Sequence, residues 1–137
     1  MPDAAEVRKF NRYYSERLGL LADRYLGQAR PLAQARLLFE IGAAGASVRT
    51  LRHRLSLDSG YLSRLLRALE SQRLISVQRA DSDGRVRVAR LTDAGREELA
   101  ELERRSQAAA AALLASLAAP QRQAVVAAMG MVRRTLS

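Results

Sequence analysis

Residues 47–91 decide the fold, because they combine two short helical patterns with two strand-like runs. The first helical pattern is Ser47-Val-Arg-Thr-Leu-Arg-His-Arg-Leu55, and the second is Ser59-Gly-Tyr-Leu-Ser-Arg-Leu-Leu-Arg-Ala-Leu-Glu70. The runs Leu74-Ile-Ser-Val-Gln-Arg79 and Val86-Arg-Val-Ala-Arg-Leu91 enclose Asp81-Ser-Asp-Gly-Arg85. Apolar residues recur every three or four positions in the helical patterns and alternate with polar residues in the runs. The stretch therefore predicts two packed helices followed by a β-hairpin.

Short signals mark the ends of these elements. Ser47 is suited to cap the first helix, and Asp58 or Ser59 is suited to cap the second. The pair Asp83-Gly84 predicts the turn of the hairpin. Alternation breaks at Ala89-Arg90-Leu91, which predicts that the second strand ends or bulges there.

A helix pair followed by a hairpin with an arginine at its tip is the layout of a winged helix-turn-helix. Such a module places one helix in the DNA major groove and its hairpin over the neighbouring backbone or minor groove. The face of the second helix opposite its leucines carries small and basic residues, which suit close approach to a groove. We therefore expect double-stranded DNA as the partner.

Positive charge is concentrated in the same part of the chain. The 137 residues include 22 arginines and one lysine against 14 acidic residues, which gives a formal net charge of +9. Residues 47–90 hold ten basic and four acidic groups, so a third of the chain carries two thirds of the excess. The positive potential of these clustered charges attracts a phosphate backbone, and the planar fork of the arginine guanidinium suits both phosphate and guanine. A GC-rich genome explains the ratio of arginine to lysine but not the clustering.

Composition excludes several other classes of protein. The chain has no cysteine and one histidine, so disulfides, thiol chemistry and histidine metal sites are not expected. No apolar run approaches the ~18 residues of a membrane span, and no charged-then-apolar leader opens the chain. A nucleophile with its base and a phosphate-binding glycine loop are also missing. We expect a cytoplasmic protein of 137 residues and one domain, with no catalytic site, cofactor or metal.

Helical patterns flank the central region on both sides. We predict helices over residues 4–28 and 33–43, a long helix from Thr92-Asp93 to about Ala118, and a last helix opening at Pro120. The first and the last two have more apolar and alanine surface than a small winged core can cover. The predicted fold class is mostly α with a small β-hairpin wing. Residues 33–92 form its DNA-binding region, and residues 4–28 and 93–137 are dimerisation helices, unless these fold back onto their own monomer.

The order of these elements resembles the MarR family of bacterial transcriptional regulators over nearly the whole chain. The resemblance is carried by Asp58 to Glu70, Leu74-Ile75, Arg79, the Asp83-Gly84-Arg85 tip and the exit Leu91-Thr-Asp-Ala-Gly95. The string Asp58-Ser-Gly-Tyr-Leu-Ser-Arg64 is also similar to the regulator half of proteins in which a MarR-like domain precedes an acetyltransferase domain. Because Ser137 leaves no room for that domain, the chain is expected to be a stand-alone relative or a fragment.

The resemblance implies a homodimeric repressor or activator on a pseudo-palindromic operator, often released by a small aromatic or phenolic ligand. It places five recognition-helix residues against base edges: Ser59, Tyr61, Leu62, Ser63 and Arg64. It also implies that Arg67 reaches phosphate and that Arg85 enters the minor groove at the wing tip, steadied by Asp83. Three residues depart from the family pattern: Arg52 replaces a small alanine, and Ser56 and Arg73 replace glycines. Arg73 must accept a left-handed conformation or end its helix differently.

Several of these residues have an alternative interpretation. Arg64 is the strongest candidate for reading guanine, against a phosphate contact or a solvated charge. Tyr61 either contacts a sugar or thymine methyl or packs beside Leu65, and Arg87 is either a phosphate contact or a surface charge. Tyr13, Tyr14 and Tyr25 either line an effector pocket or form dimer core.

The leading functional hypothesis is a ligand-responsive, sequence-specific transcriptional regulator. One competitor is an architectural protein that binds DNA with little sequence preference, for which a steep salt dependence without discrimination is the signature. Another is the inert regulatory fragment of an acetyltransferase fusion.

Overall fold

A computed structural model describes residues 1–19, 25–27, 30–80 and 83–137, and the side chains of Tyr25 and Asp83 also lie outside the description. The helices are α1 (Pro2–Leu18), α2 (Leu32–Ile41), α3 (Val48–Leu55), α4 (Ser59–Ser71), α5 (Asp93–Leu114) and α6 (Ala119–Leu136). The strands are β1 (Ala46–Ser47), β2 (Ile75–Ala80) and β3 (Asp83–Leu91), and Tyr25–Gly27 form a 3₁₀ turn. The predicted fold class, mostly helical with a small antiparallel wing, is confirmed.

The chain divides into two compact units, Met1–Glu103 and Arg104–Ser137. The first contains α1 to α4, the sheet and the start of α5. Its core consists of buried residues from α2, α3, α4, the sheet and α5, namely Ala35, Leu37, Leu38, Ile41, Leu51, Leu62, Leu65, Leu66, Leu69, Leu74, Ile75, Ala89, Leu91 and Leu102. The second contains the remainder of α5 and the whole of α6.

The sheet has three antiparallel strands in the order β1-β3-β2. Strand β1, which pairs Ala46 with Ala89 and Ser47 with Val88, was not predicted. Two residues are too few to show alternation, and their pairing depends on a strand more than forty residues away. The consequence for the site is that Ser47 ties the start of α3 to the wing.

The hairpin differs from its prediction at the turn. Ala80 pairs with Asp83, so Asp83 and Gly84 belong to β3 and the turn predicted there is wrong. The register shift falls between Arg79 and Ala80, and β3 ends at Leu91, within the segment where an end or a bulge was predicted. Alternation continues because Ala89 and Leu91 are buried, whereas exposed Arg90 donates to the Ala44 carbonyl at 3.1 Å.

The first helix ends ten residues earlier than predicted. Gly19 adopts a left-handed conformation, with φ 67° and ψ 30°, and its N–H bonds to carbonyls of the last turn. A left-handed glycine terminates a helix efficiently, although its position within an apolar helical pattern hid it. The prediction of a helix to residue 28 is therefore wrong. The bounds of the last two helices agree better with their predictions. Helix α5 ends at Leu114, where an end at about Ala118 was predicted, and Pro120 lies in the first turn of α6 as predicted.

Helices α3 and α4 end in the same hydrogen-bonded motif. The Leu57 N–H donates to Arg52 O at 3.2 Å, five residues back, and the Leu74 N–H donates to Leu69 O at 3.1 Å. The residue before each donor is left-handed, Ser56 with φ 51° and Arg73 with φ 61°. This is the Schellman arrangement, in which glycine normally occupies that position. Arg73 thus accepts the left-handed conformation, the first of its two predicted alternatives.

The start of α5 is fixed against the two residues that precede β2. The Thr92 N–H donates to Leu74 O at 3.0 Å, the Thr92 hydroxyl donates to Arg73 O at 2.7 Å, and its oxygen accepts from the Gly95 N–H at 3.0 Å. A Cβ on buried Gly95 would overlap the Leu74 carbonyl oxygen. The glycine therefore permits the close approach that seats α5.

Candidate nucleic-acid interface

Helix α4 presents a polar face because its leucines hold the opposite face in the core. Leu62, Leu65, Leu66 and Leu69 are all buried. At its start, Asp58 Oδ2 accepts from the Tyr61 N–H at 3.0 Å. This confirms Asp58 as the cap, and its carboxylate suits the positive end of the helix dipole.

The predicted base-contacting residues divide between the two faces of α4. Ser59, Tyr61 and Arg64 are exposed, and Ser63 is half-buried. Leu62 is 1% exposed and belongs to the core. So little exposed surface leaves Leu62 almost nothing to offer a base edge, and its base contact stays a prediction.

Tyr61 and Arg64 contact each other on the exposed face. The Arg64 guanidinium lies over the Tyr61 ring, with Cζ 5.7 Å from the ring centroid, within the range of a cation–π interaction. Tyr61 is 38% exposed, so the structure favours a surface role over the predicted alternative of packing into the core. One turn later, Arg67 Nε donates to the Ser63 carbonyl at 3.4 Å.

The wing carries exposed arginines on β3. Arg85 and Arg87 are two residues apart on one strand and both are exposed. Arg87 also pairs directly with Arg79 of β2, and like charges in directly opposed positions repel each other. The predicted role of Asp83 in steadying Arg85 concerns a side chain outside the described residues.

A groove of about 670 Å³ separates the starts of α3 and α4 from the wing. Its lining comprises Ser47, Val48, Arg49, Arg52, Ser59, Leu62, Ser63, Arg85, Val86 and Arg87. Four of these residues are arginines, and none of the described lining residues is acidic. The groove is therefore the most suitable place in the described structure for an extended anion.

Two helix N-termini add to the positive potential of this groove. Ser47 Oγ caps α3 by accepting from the Thr50 N–H at 3.1 Å, as predicted, and Ser47 and Ser59, at the starts of the two helices, both line the groove. Backbone N–H groups and the helix dipole make such ends favourable for phosphate.

Among the arginines of this lining, Arg49 was not singled out from the sequence, and Arg52 was noted only as a departure from the family pattern. They lie three residues apart on α3, so they share a face of that helix. The only signal in the sequence was that spacing, because the position of α3 beside the wing depends on strand β1. A second, smaller groove of about 350 Å³ lies between α4 and the wing and contains Arg67, Arg87 and the carboxylate Glu70.

Of the tyrosines predicted as an effector pocket, Tyr13 and Tyr14 are described and differ in burial. Tyr14 is half-buried and stacks on Phe10, with ring centroids 5.3 Å apart, whereas Tyr13 is 62% exposed. The Tyr25 side chain lies outside the described residues. The structure leaves both predicted alternatives, effector pocket and dimer core, as predictions.

Two other kinds of site are missing from the described parts of the chain. Among those residues, no group of three or more His, Asp or Glu side chains could hold a metal ion. None of the helices in the described ranges has the length and apolar character needed to span a bilayer.

The MarR family model matches residues 30–86, which include α2 to α4 and most of the wing. The winged helix-turn-helix of this chain is therefore similar to that of the MarR family. Among curated proteins, the MarR-like chain is 28% identical over 87 residues to an uncharacterised HTH-type transcriptional regulator, YdgJ of Bacillus subtilis. That alignment covers 64% of this chain and 53% of YdgJ, so it spans about half the length of its curated relative.

Solved structures share the fold over almost the full length. The PcaV transcriptional regulator of Streptomyces coelicolor is 26% identical, with a TM-score of 0.74, and the match covers 96% of this chain and 94% of PcaV. A mutant MarR of E. coli complexed with operator DNA is 23% identical, with a TM-score of 0.75 and coverage of 100% and 95%. This second likeness shows the MarR fold alone.

Proposed function

We propose that this chain is a sequence-specific regulator of transcription that binds double-stranded DNA. The observation that carries the proposal is the groove between α3, α4 and the wing, where four arginines and two helix N-termini meet with no acidic residue among the described lining residues. Such a surface suits a phosphate backbone. The operator complex of the E. coli MarR mutant supports the proposal, since the two chains share a fold.

The side chains divide into those that read bases and those that bind the backbone. We assign base contacts to the exposed face of α4, through Ser59, Ser63 and Arg64, with Tyr61 beside Arg64 on the same face. Bidentate arginine–guanine pairing is the commonest specific contact in the major groove. Arg67 and Arg87 are assigned to phosphates, which fix register without carrying sequence information. Arg85 is assigned to the minor groove, with Asp83 as its partner.

A homodimer accounts for the exposed apolar surface of two helices. Neither α1 nor α6 buries any residue among its described side chains. Four of their apolar side chains are each at least half exposed, namely Val7, Phe10, Val126 and Val132. Helices of this kind are stabilised when a second copy covers them. Two copies related by a two-fold axis would place two recognition helices on a pseudo-palindromic operator, one helical turn or a multiple apart.

A small aromatic or phenolic ligand is the proposed effector. PcaV has been solved in complex with its natural ligand, and that complex is 25% identical to this chain with a TM-score of 0.68. Tyr13, Tyr14 and Tyr25 are the proposed contacts, since all three belong to the segment that precedes the DNA-binding region. An effector that changes the spacing of the recognition helices would shift the population away from the DNA-bound form.

The remaining assignments follow from this function. A regulator acts where the chromosomal DNA is, so we place the chain in the cytoplasm. It acts by binding and not by catalysis, and the family to which its central region is similar consists of transcriptional regulators. We propose that residues 1–137 form one functional domain, with residues 33–92 for DNA and the flanking helices for dimerisation.

Fluorescence anisotropy with a duplex from the gene's own upstream region, compared with a scrambled duplex, tests this function. We expect a preference of about 10³ or more for the upstream duplex at moderate salt. Equal, strongly salt-dependent binding to both duplexes would favour the architectural alternative. Failure to bind either duplex would contradict DNA binding altogether.

A further inference from the structure

Tyr61 and Arg64 form a preassembled pair on the exposed face of α4. They are three residues apart, so their side chains meet on one side of the helix. The guanidinium carbon lies 5.7 Å from the centre of the tyrosine ring. Side chains on a helix lean towards its N-terminus, and the arginine therefore extends back over the turn that carries the tyrosine.

The pair has few competing contacts within the chain. Among the described residues, no carboxylate forms an ion pair with Arg64, whereas Arg30, Arg36, Arg54 and Arg96 all have one. Arg64 is exposed and Tyr61 is 38% exposed. The aromatic ring is thus the partner that holds the guanidinium in place.

Gly60 keeps the region beside the pair open. A Cβ built at this position would lie 3.2 Å from Asp58 Oδ2 and 3.8 Å from a terminal nitrogen of Arg64. The guanidinium therefore lies close to a position of the first turn of α4 that carries no side chain. The first turn of a recognition helix is the part that meets base edges in this class of module.

We propose that Tyr61 is a positioning residue for sequence recognition: its ring holds the Arg64 fork in the orientation that pairs with guanine. Arginine has many rotamers, and fixing them before binding reduces the entropy lost when the two hydrogen bonds to guanine form. The ring also leaves the N–H groups at the edge of the guanidinium available. This inference rests on the proposed function and adds a role for a residue that need not touch a base.

Selection from a duplex library, with a randomised segment of about two helical turns, tests the role of Tyr61. Wild-type protein defines the preferred sequence, and Arg64→Ala identifies the guanine that Arg64 reads, with an expected loss of discrimination of about ten- to a hundredfold. Tyr61→Leu keeps the apolar bulk without the ring, and Tyr61→Phe keeps the ring without the hydroxyl. Circular dichroism and thermal unfolding establish that all variants are folded.

We expect Tyr61→Leu to reduce discrimination about two- to fivefold at the same guanine, and Tyr61→Phe to retain it, as the strength of an exposed cation–π contact implies. The salt dependence of binding should be unchanged in both, because neither variant removes a charge.

Three results would overturn the inference. Tyr61→Leu could keep full discrimination at that guanine, the loss could fall on a different base pair, or Tyr61→Phe could lose as much as Tyr61→Leu. The second and third results would make Tyr61 a direct contact with DNA. If wild-type protein enriches no sequence at all, the proposed function fails, and the role of Tyr61 fails with it.

Discussion

Arg73 and Ser56 occupy backbone positions at which glycine would be less strained. Both are left-handed at the ends of α3 and α4, and each is held by the hydrogen bonds of a Schellman motif. A non-glycine residue in this conformation costs about 1–2 kcal/mol, part of which glycine loses again through its freedom in the unfolded chain. The surrounding bonds, including that from Thr92 to Arg73 O, keep the conformation in place.

Arg73→Gly should therefore stabilise the protein. The expected gain in the free energy of unfolding is about 0.5–1 kcal/mol, because the strain is removed while the hydrogen bonds of the motif stay. Urea unfolding followed by circular dichroism measures it. Arg73→Ala is the matched control, since it removes the same charge but keeps the β-carbon, and it should bring no such gain. A gain of equal size in both variants would show that charge, and not backbone strain, is responsible.

Gly95→Ala should destabilise the protein by about 1–3 kcal/mol, the usual cost of overpacking. The added Cβ would overlap the Leu74 carbonyl oxygen, which also accepts the Thr92 N–H. Gly84→Ala is the control, since a Cβ there has nothing within 4 Å. Thermal unfolding should show a lower midpoint for Gly95→Ala only. An unchanged midpoint would mean that α5 is not seated as tightly as described.

Some residues of the candidate site were predicted from the sequence, and others could not be. Arg64, Arg85 and Arg87 were predicted because a basic residue on a short helix or at a hairpin has few structural roles. Arg49 was missed because its place in the groove depends on the position of α3 beside the wing. Leu62 was predicted both as a core residue and as a base contact, and its burial places it in the core.

At the scale of the elements, periodicity located the helices and strands well and their ends less well. The bounds of α3 and α4 were predicted within one residue at each end, because a capping side chain precedes each helix and a strong leucine pattern fills it. The end of α1 was missed at Gly19, which interrupts a helical pattern that continues beyond it. Strand β1 was missed because only its pairing with β3 makes it a strand.

The wing combines repulsion with a binding role, which gives one substitution two opposite effects. Arg87→Gln should weaken binding to upstream and scrambled duplexes alike and lower the salt slope by about 1, as expected for a lost phosphate contact. It should also raise the free energy of unfolding by about 0.2–1 kcal/mol, because the repulsion from Arg79 across the hairpin is relieved.

Arg79→Gln is the matched control for the wing. It relieves the same repulsion but does not line the described grooves, so it should stabilise equally and leave the salt slope almost unchanged. Anisotropy titrations and thermal unfolding of both variants provide the comparison. Equal losses of DNA affinity in the two variants would contradict the assignment of Arg87.

At the scale of the whole molecule, a homodimer is the arrangement proposed to cover α6. Val132→Glu should raise the dimer dissociation constant at least tenfold, or about 1.4 kcal/mol, because a charge would be buried in the interface. Val132 is more than half exposed in the single chain, so the substitution should leave its folding intact. Sedimentation equilibrium measures the dissociation constant.

Ala127→Glu adds the same charge to an exposed position on the other side of α6 and serves as the control. It should leave the dissociation constant within about twofold of wild type. Equal dissociation of both variants, or a wild-type protein that is monomeric at every concentration, would contradict the assignment of this helix.

The most direct test of DNA binding through the groove between α3, α4 and the wing is the slope of log affinity against log salt for Arg49→Gln/Arg52→Gln. Each lost phosphate contact lowers that slope by about 0.9, so we predict a fall of nearly 2 relative to wild type. Arg96→Gln/Arg122→Gln removes the same charge from outside the groove and should leave the slope close to wild type. An unchanged slope for the groove variant, or an equal fall for the control, would contradict DNA binding through this groove.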